Sequence, residues 1–267
     1  MMKFILKIIL IPVLFFTGTA SAQKSPEIPK THFIIDGLLG EKTVYETPYY
    51  ILRTDDEYPK ILIDACIHGD EVAGKFACDT VMKYIDVLEG TVVFVPMVNI
   101  QAFEKNVRGV NIDLNQVFPG NPNADIYEER LAKDFMDLVA LINPDVVINL
   151  HEAWTKYDEN LYKRQKDKSF GQTIITNSEE RPVFLVSAQY EINKRIKEQD
   201  KQFRIQTFPF KENHSMDNII DKLKIPSYTI ETLRTLPLDE RINYQVICIL
   251  AFIQEAGIKF EYYGNIR

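Results

Sequence analysis

The chain has 267 residues, enough for one substantial α/β domain and too few for two large ones. Hydrophobic residues make up 46% and charged residues 26%, proportions that build a core and exclude a disordered chain. The formal charge of −7 gives no electrostatic reason to bind nucleic acid or an anionic lipid surface.

The first 22 residues read as a secretory signal peptide. Lys3 and Lys7 make a basic start, the apolar run "IILIPVLFF" follows, and "TGTASA" closes the segment with small residues. The apolar run is short for a bilayer span and contains Pro12, so no stable membrane insertion is expected once the signal is removed. No Cys stands at the cleavage point to carry a lipid. Cleavage after Ala22 removes the two lysines and no acid, which takes the charge from −7 to −9. An exported protein, periplasmic or secreted, is expected. Residues 23–30 read as an extended leader, and no linker divides residues 23–267, expected to form a single catalytic domain.

Strand-like runs follow at 47–54, 60–67, 91–98, 145–150, 172–177, 203–210 and 227–233. Three of them, "KILIDACI", "DVVINL" and "SYTIETL", have few polar interruptions, as strands buried on both faces do. Between them, helical spacing of apolar residues runs through 71–88, 125–142, 182–199 (opened by Pro182) and 238–256, the last apolar nearly all round. The alternation predicts an α/β fold: a mixed sheet with a largely parallel centre, sandwiched between helices. The Lys/Arg-rich stretch 161–168 is interrupted by Asp167 and has no aromatic ladder, so it reads as a solvated loop.

Chemistry gathers at the ends of the three buried strands. "KILIDACI" runs into "HGDE", which places His68 at the strand's carboxyl end, Gly69 in a sharp turn and Glu71 at the start of the next helix. In open α/β sheets that edge is the ligand crevice. A catalytic zinc takes three protein ligands and keeps one position open. Of the four histidines, His151 alone shares the position of His68, at the end of "DVVINL". His32 and His214 follow no buried strand and read as ordinary surface or loop residues, His214 with a weak claim to substrate contact. "SYTIETL" brings Glu231 to the same edge, where a carboxylate can act as general base. The loop 106–121 carries Arg108, suited to an oxyanion, and Asn115, suited to orienting a substrate carboxylate or amide. Asp70 and Glu152, beside the histidines, read as supporting groups. Cys66, Cys78 and Cys248 read as buried thiols, none with metal-ligand spacing.

"HGDE", "RGVNIDLNQVFPG", "INLHE" and "YTIET", in that order, resemble the zinc carboxypeptidase superfamily, and within it the succinylglutamate desuccinylase/aspartoacylase-like branch. The likeness runs from about Lys60 to Leu233. It implies an eight-stranded mixed sheet and one Zn2+ on His68, Glu71 and His151. It also implies Glu231 as base and acid, Arg108 as carbonyl and oxyanion ligand, and Asn115 as a substrate carboxylate contact. Members cleave amide bonds next to a carboxylate-bearing residue. This chain departs at Gln116, where the family usually has an Arg that grips the substrate's carboxylate; Gln supplies no charge. Arg234 and Arg130 are the candidates to compensate. The expected function is amide hydrolysis by metal-activated water, as a carboxypeptidase or cell-wall peptide amidase. Its substrate would be a peptide or, in a second reading, an acylated amino acid. A catalytically inactive binding module on the same fold is the reading of another class. Residues 152–170, with Trp154 and Tyr157, are expected to form a substrate-facing loop.

Overall fold

The computed structural model describes residues 31–158, 170–208 and 215–266. The expected signal peptide and His214 lie outside these residues. Eight strands form one sheet: β1 (Phe33–Leu39), β2 (Thr47–Arg53), β3 (Lys60–Ala65), β5 (Thr91–Val95), β6 (Val146–Ala153), β7 (Thr173–Thr176), β8 (Arg204–Thr207) and β9 (Ser227–Leu233), in the order β1-β2-β5-β3-β6-β9-β7-β8. The centre is parallel, from β5 through β3 and β6 to β9, while β1, β2 and the β7–β9 junction pair antiparallel. The predicted mixed sheet with a parallel centre is the observed one. The three runs read as buried strands are its adjacent middle strands β3, β6 and β9.

Alternation along β3 explains how both faces are covered. Ile61, Ile63 and Ala65 point into a core shared with helices α1 (Ala73–Tyr84), α4 (Val183–Arg195) and α6 (Leu238–Glu255). Leu62 points to the other face, where α3 (Tyr127–Ile142) supplies Leu131, Phe135 and Val139 and α5 (Met216–Lys222) supplies Met216 and Ile220. Every residue of α6 from Tyr244 to Ile253 is buried, as its apolar circumference predicts. Helix α3 stops at Asn143, which takes the left-handed conformation at φ 49 and donates its N–H to Val139. A short helix α2 (Ile100–Lys105) follows β5, whose predicted extension to residue 98 ends at Val95, just before Pro96.

Several boundaries depart from expectation. The pattern read as one helix over 71–88 is helix only to Tyr84. Residues Ile85–Glu89 form β4, paired with β10 (Lys259–Tyr262), because Ile85 and Val87 alternate into the core as a strand's residues do. Strand β1 was not expected. It is an exposed edge strand with Gly37 in its middle, where a Cβ would stand 2.2 Å from the Tyr49 ring and displace it. His32 is buried, with Nδ1 3.1 Å from the Asp86 carboxylate and accepting from the Val87 N–H at 3.0 Å, so its reading as a surface residue does not hold.

The turn after β3 places the chemistry. Its left-handed residue is Cys66, at φ 57, and the turn is held by N–H donation from Val98 to Ala65 O and from Asn99 to Cys66 O, at 2.9 and 3.0 Å. Gly69 stands in the sharp turn expected of it, closed by the Glu71 N–H on the His68 carbonyl at 3.2 Å, and it meets a second need as well. A Cβ there would stand 2.0 Å from the Ala102 carbonyl carbon. Gly69→Ala must therefore push the turn off α2. It should cost about 1–3 kcal/mol of stability and displace both His68 and Glu71. A lower Tm together with weakened zinc uptake would bear this out.

Candidate metal centre

His68 and Glu71 lie on the turn between β3 and α1, and His151 lies near the end of β6. The helix starts at Ala73, so Glu71 stands before it and does not open it as expected. The three residues are 3%, 4% and 3% exposed, and their ligating atoms lie within 4.8 Å of one another. Glu71 is the hub. Its Oε1 is 2.9 Å from His68 Nδ1 and its Oε2 is 2.7 Å from His151 Nδ1. Oε2 also accepts the backbone N–H of Glu152 at 3.0 Å, and Oε1 accepts Arg108 Nη1 at 3.4 Å. The two imidazoles meet edge to face, with ring centres 4.7 Å apart. Gln245 of α6 fixes the strand beneath, donating to the His151 carbonyl at 3.0 Å and to Thr232 Oγ1 at 2.8 Å.

Glu231 stands directly opposite His151 in the register of β6 and β9. Its Oε2 is covered and has no hydrogen-bond partner. Burial pushes its carboxyl well above the usual carboxylate range, and the neighbouring Glu71 charge adds to that. Glu71 is under the opposite influence: burial disfavours its charge, but His68 and His151 outweigh that and hold it well below the usual range. Burial likewise opposes a charged His68, yet Glu71 and Asp113 prevail and push it up to about 9.

Two imidazoles and one carboxylate, drawn together with both Nδ1 atoms aimed at the carboxylate, form a group that could hold a metal ion, in the composition catalytic zinc sites use. A further feature fits a metal. His68 Nε2 is held 3.0 Å from Asp113 Oδ1, the outer carboxylate that orients many metal-bound imidazoles. His151 Nε2 is buried without a partner. Asp113 also accepts Arg108 Nε at 3.0 Å and the Asn115 N–H at 2.9 Å, so it joins loop 106–121 to the centre. The reading of that loop overlooked Asp113. Its signal was an acid beside apolar residues in an Asn-rich loop, but nothing local tells which histidine, 45 positions away, it holds. Asp113→Asn should weaken zinc binding by roughly 10–100-fold, as loss of an outer partner does. Competition with a chelator of known affinity measures it.

A cleft of about 770 Å³ opens over the centre and is lined by Arg108, Asn115, Gln116, Trp154 and Arg234 as well as by the three donors and Glu231. Arg108 sits at the mouth, its side chain 56% exposed. Asn115 has one end committed: its Oδ1 accepts the N–H of Met216 at 2.9 Å, tying the loop to α5. Arg234 donates to Asp70 Oδ2 at 2.7 Å and lies over the Trp154 ring, 4.4 Å from its centre. Arg130 is elsewhere: it donates to the Asp125 carbonyl at 2.9 Å, lies over Tyr45 and does not line the cleft. Its candidacy for the substrate carboxylate falls, and Arg234 keeps the place. Glu152 accepts the Ala73 N–H at 3.1 Å and Arg241 Nη1 at 2.6 Å, bracing β6 against α1 and α6. Of the segment 152–170, Glu152, Ala153, Trp154, Thr155 and Phe170 line the cleft, Tyr157 does not, and 159–169 lie outside the described residues. Cys66, Cys78 and Cys248 are free, buried thiols.

No curated protein sequence matches the chain. Among solved structures it is similar to the cell shape determinant protein Csd4 of Helicobacter pylori, at 20% identity and a TM-score of 0.73 over 88% of this chain. The chain spans 57% of the length of that protein. Csd4 is described as a D,L-carboxypeptidase and has been crystallised with mDAP and with a tripeptide. A candidate metallopeptidase of Shewanella amazonensis SB2B matches at 18% identity and a TM-score of 0.64, over 83% of this chain and 86% of its own. An aspartoacylase family protein of Mesorhizobium loti matches at 18% identity and 0.61, over 90% and 70%. At these identities the structures show a shared fold. Residues 57–172, which carry His68, Glu71, Arg108 and His151, match the model of the succinylglutamate desuccinylase/aspartoacylase catalytic domain.

Proposed function

We propose that the protein is an exported zinc-dependent amide hydrolase that cleaves peptides, with residues 23–267 acting as one catalytic domain. The observation that carries this reading is the convergence of His68, Glu71 and His151 with Glu231 in register beside them. His68, Glu71 and His151 would hold the ion. Zinc held there supplies Lewis acidity toward a water molecule and toward the scissile carbonyl. Glu231, through its unpartnered Oε2, takes the proton of the attacking water and passes it to the leaving amine nitrogen. Arg108 donates N–H groups to the oxygen that gains charge in the transition state. Arg234, held by Asp70 and Trp154, offers the positive charge that Gln116 lacks for a substrate carboxylate. The basic, apolar, small-residue order of the first 22 residues supports export and so a peptide outside the cytoplasm.

A second reading, deacylation of N-acyl amino acids, is favoured by the family that residues 57–172 match. A panel separates the two. Release of an amino acid from short peptides, with none from N-succinyl or N-acetyl amino acids, supports the peptidase, and the reverse pattern replaces it with the deacylase. Absence of turnover on every amide at full zinc occupancy would leave only a binding module.

A further inference from the structure

The cleft does not end at Glu231. It continues along β9 to Thr229 and reaches Asp217 in the first turn of α5. Asp217 is 6% exposed, and its two oxygens accept the hydroxyls of Ser227 and Thr229. Two hydroxyl donors leave part of a carboxylate's acceptor capacity unused.

A second polar layer lies beside it. Thr229 is in register with Asn149 on β6, and Asn149 with Asp64 on β3. This row runs across the three central strands, one pleat inside the His151–Glu231 row and on the same face. Asp64 and Asn149 are fully buried, and neither has any hydrogen-bond partner for its side-chain atoms. Among the described residues, neither Asp64 nor Asp217 has a Lys, Arg or His as ion-pair partner. Burial, with Asp217 beside it, pushes the Asp64 carboxyl well above the usual range. A buried carboxylate without a counter-ion is costly to hold. Here Asp217 stands in the cleft that also carries His68, Glu71 and His151, and Asp64 and Asn149 beside it have side-chain atoms without partners.

We infer that Asp217, backed by the Asp64–Asn149–Thr229 row, is a recognition site for an ammonium group, so that the preferred substrate carries a cationic side chain on the residue next to the scissile bond. This rests on the proposed peptidase reading for the identity of the substrate, but the ammonium site itself does not. A charge-assisted hydrogen bond in a covered site is worth on the order of tenfold to a hundredfold in affinity.

Two measurements on the zinc-loaded protein test it. In the first, peptides ending in lysine, norleucine or Nε-acetyllysine, each in L and D form, are compared by kcat/KM. The lysine peptide should lead by roughly tenfold or more, and Asp217→Asn should abolish that lead. In the second, calorimetric binding of free lysine and free norleucine needs no turnover, and lysine should bind more tightly by a similar factor. Equal treatment of lysine and norleucine by the unaltered protein in both measurements overturns the inference, whatever the variant does. Uptake of a second equivalent of inorganic cation, lost in Asp217→Asn and not displaced by lysine, also overturns it. If no peptide is cleaved but lysine binds better than norleucine, the peptidase reading fails and the ammonium site stands.

Discussion

Glu231→Gln should leave about one zinc per chain and lower kcat by roughly 10²- to 10⁴-fold, the range that a positioned general base contributes. The substitution keeps the size of the side chain and its place opposite His151 on β9. It replaces the basic carboxylate that takes the proton with an amide too weakly basic to do so. Because Glu231 makes no hydrogen bond through Oε2, the exchange breaks no structural contact there. The fall should therefore appear in kcat with the fold intact. Near-normal kcat in a zinc-replete variant would remove Glu231 from the mechanism and leave the centre without an evident base.

The second large effect concerns Glu71. Its carboxylate touches His68, His151, Arg108 and the Glu152 N–H at once. Glu71→Gln takes away a metal donor's charge and turns an amide N–H₂ toward rings that need an acceptor. Zinc affinity should fall by more than the roughly 10–100-fold assigned to the outer partner Asp113, and activity should fall with it. The metal-free variant has a separate signature. Without the Glu71 charge, His68 should no longer be pushed up to about 9, and its titration should move down. NMR of the imidazole protons in Glu71→Gln, compared with the unaltered protein, reads this directly. An unchanged zinc affinity would show that Glu71 organises the pocket without serving as a donor.

The middle of the fold was legible because burial on both faces writes itself into composition. β3, β6 and β9 are buried along nearly their whole length, and each leads into a group with chemistry, so strand and site were read together. The edges were harder. β1 exposes Phe33, Ile34 and Ile35 and has Gly37 in its middle, so neither alternation nor a continuous buried run marks it. β4 follows α1 with no break, and Ile85 and Val87 satisfy helix and strand patterns alike until the partner β10, about 170 residues later, decides. Within the site, His68, Glu71, His151 and Glu231 sit at strand ends that periodicity can locate. Asp113 and Asp217 sit on a loop and a seven-residue helix, and only tertiary contact shows what they face. The same holds for the arginines: spacing could not choose between Arg130 and Arg234, whereas the cleft lining does. His32 shows the converse case, a histidine with no motif around it that is nonetheless buried against Asp86.

The proposed hydrolytic mechanism depends on a metal at His68, Glu71 and His151. Zinc stoichiometry of the purified protein, measured beside His151→Ala, tests that most directly. The account predicts about one zinc per chain in the unaltered protein and a lost or greatly weakened site in the variant. A protein that is isolated without metal and takes up none when zinc is added would contradict it, and so would His151→Ala binding zinc as tightly as the parent.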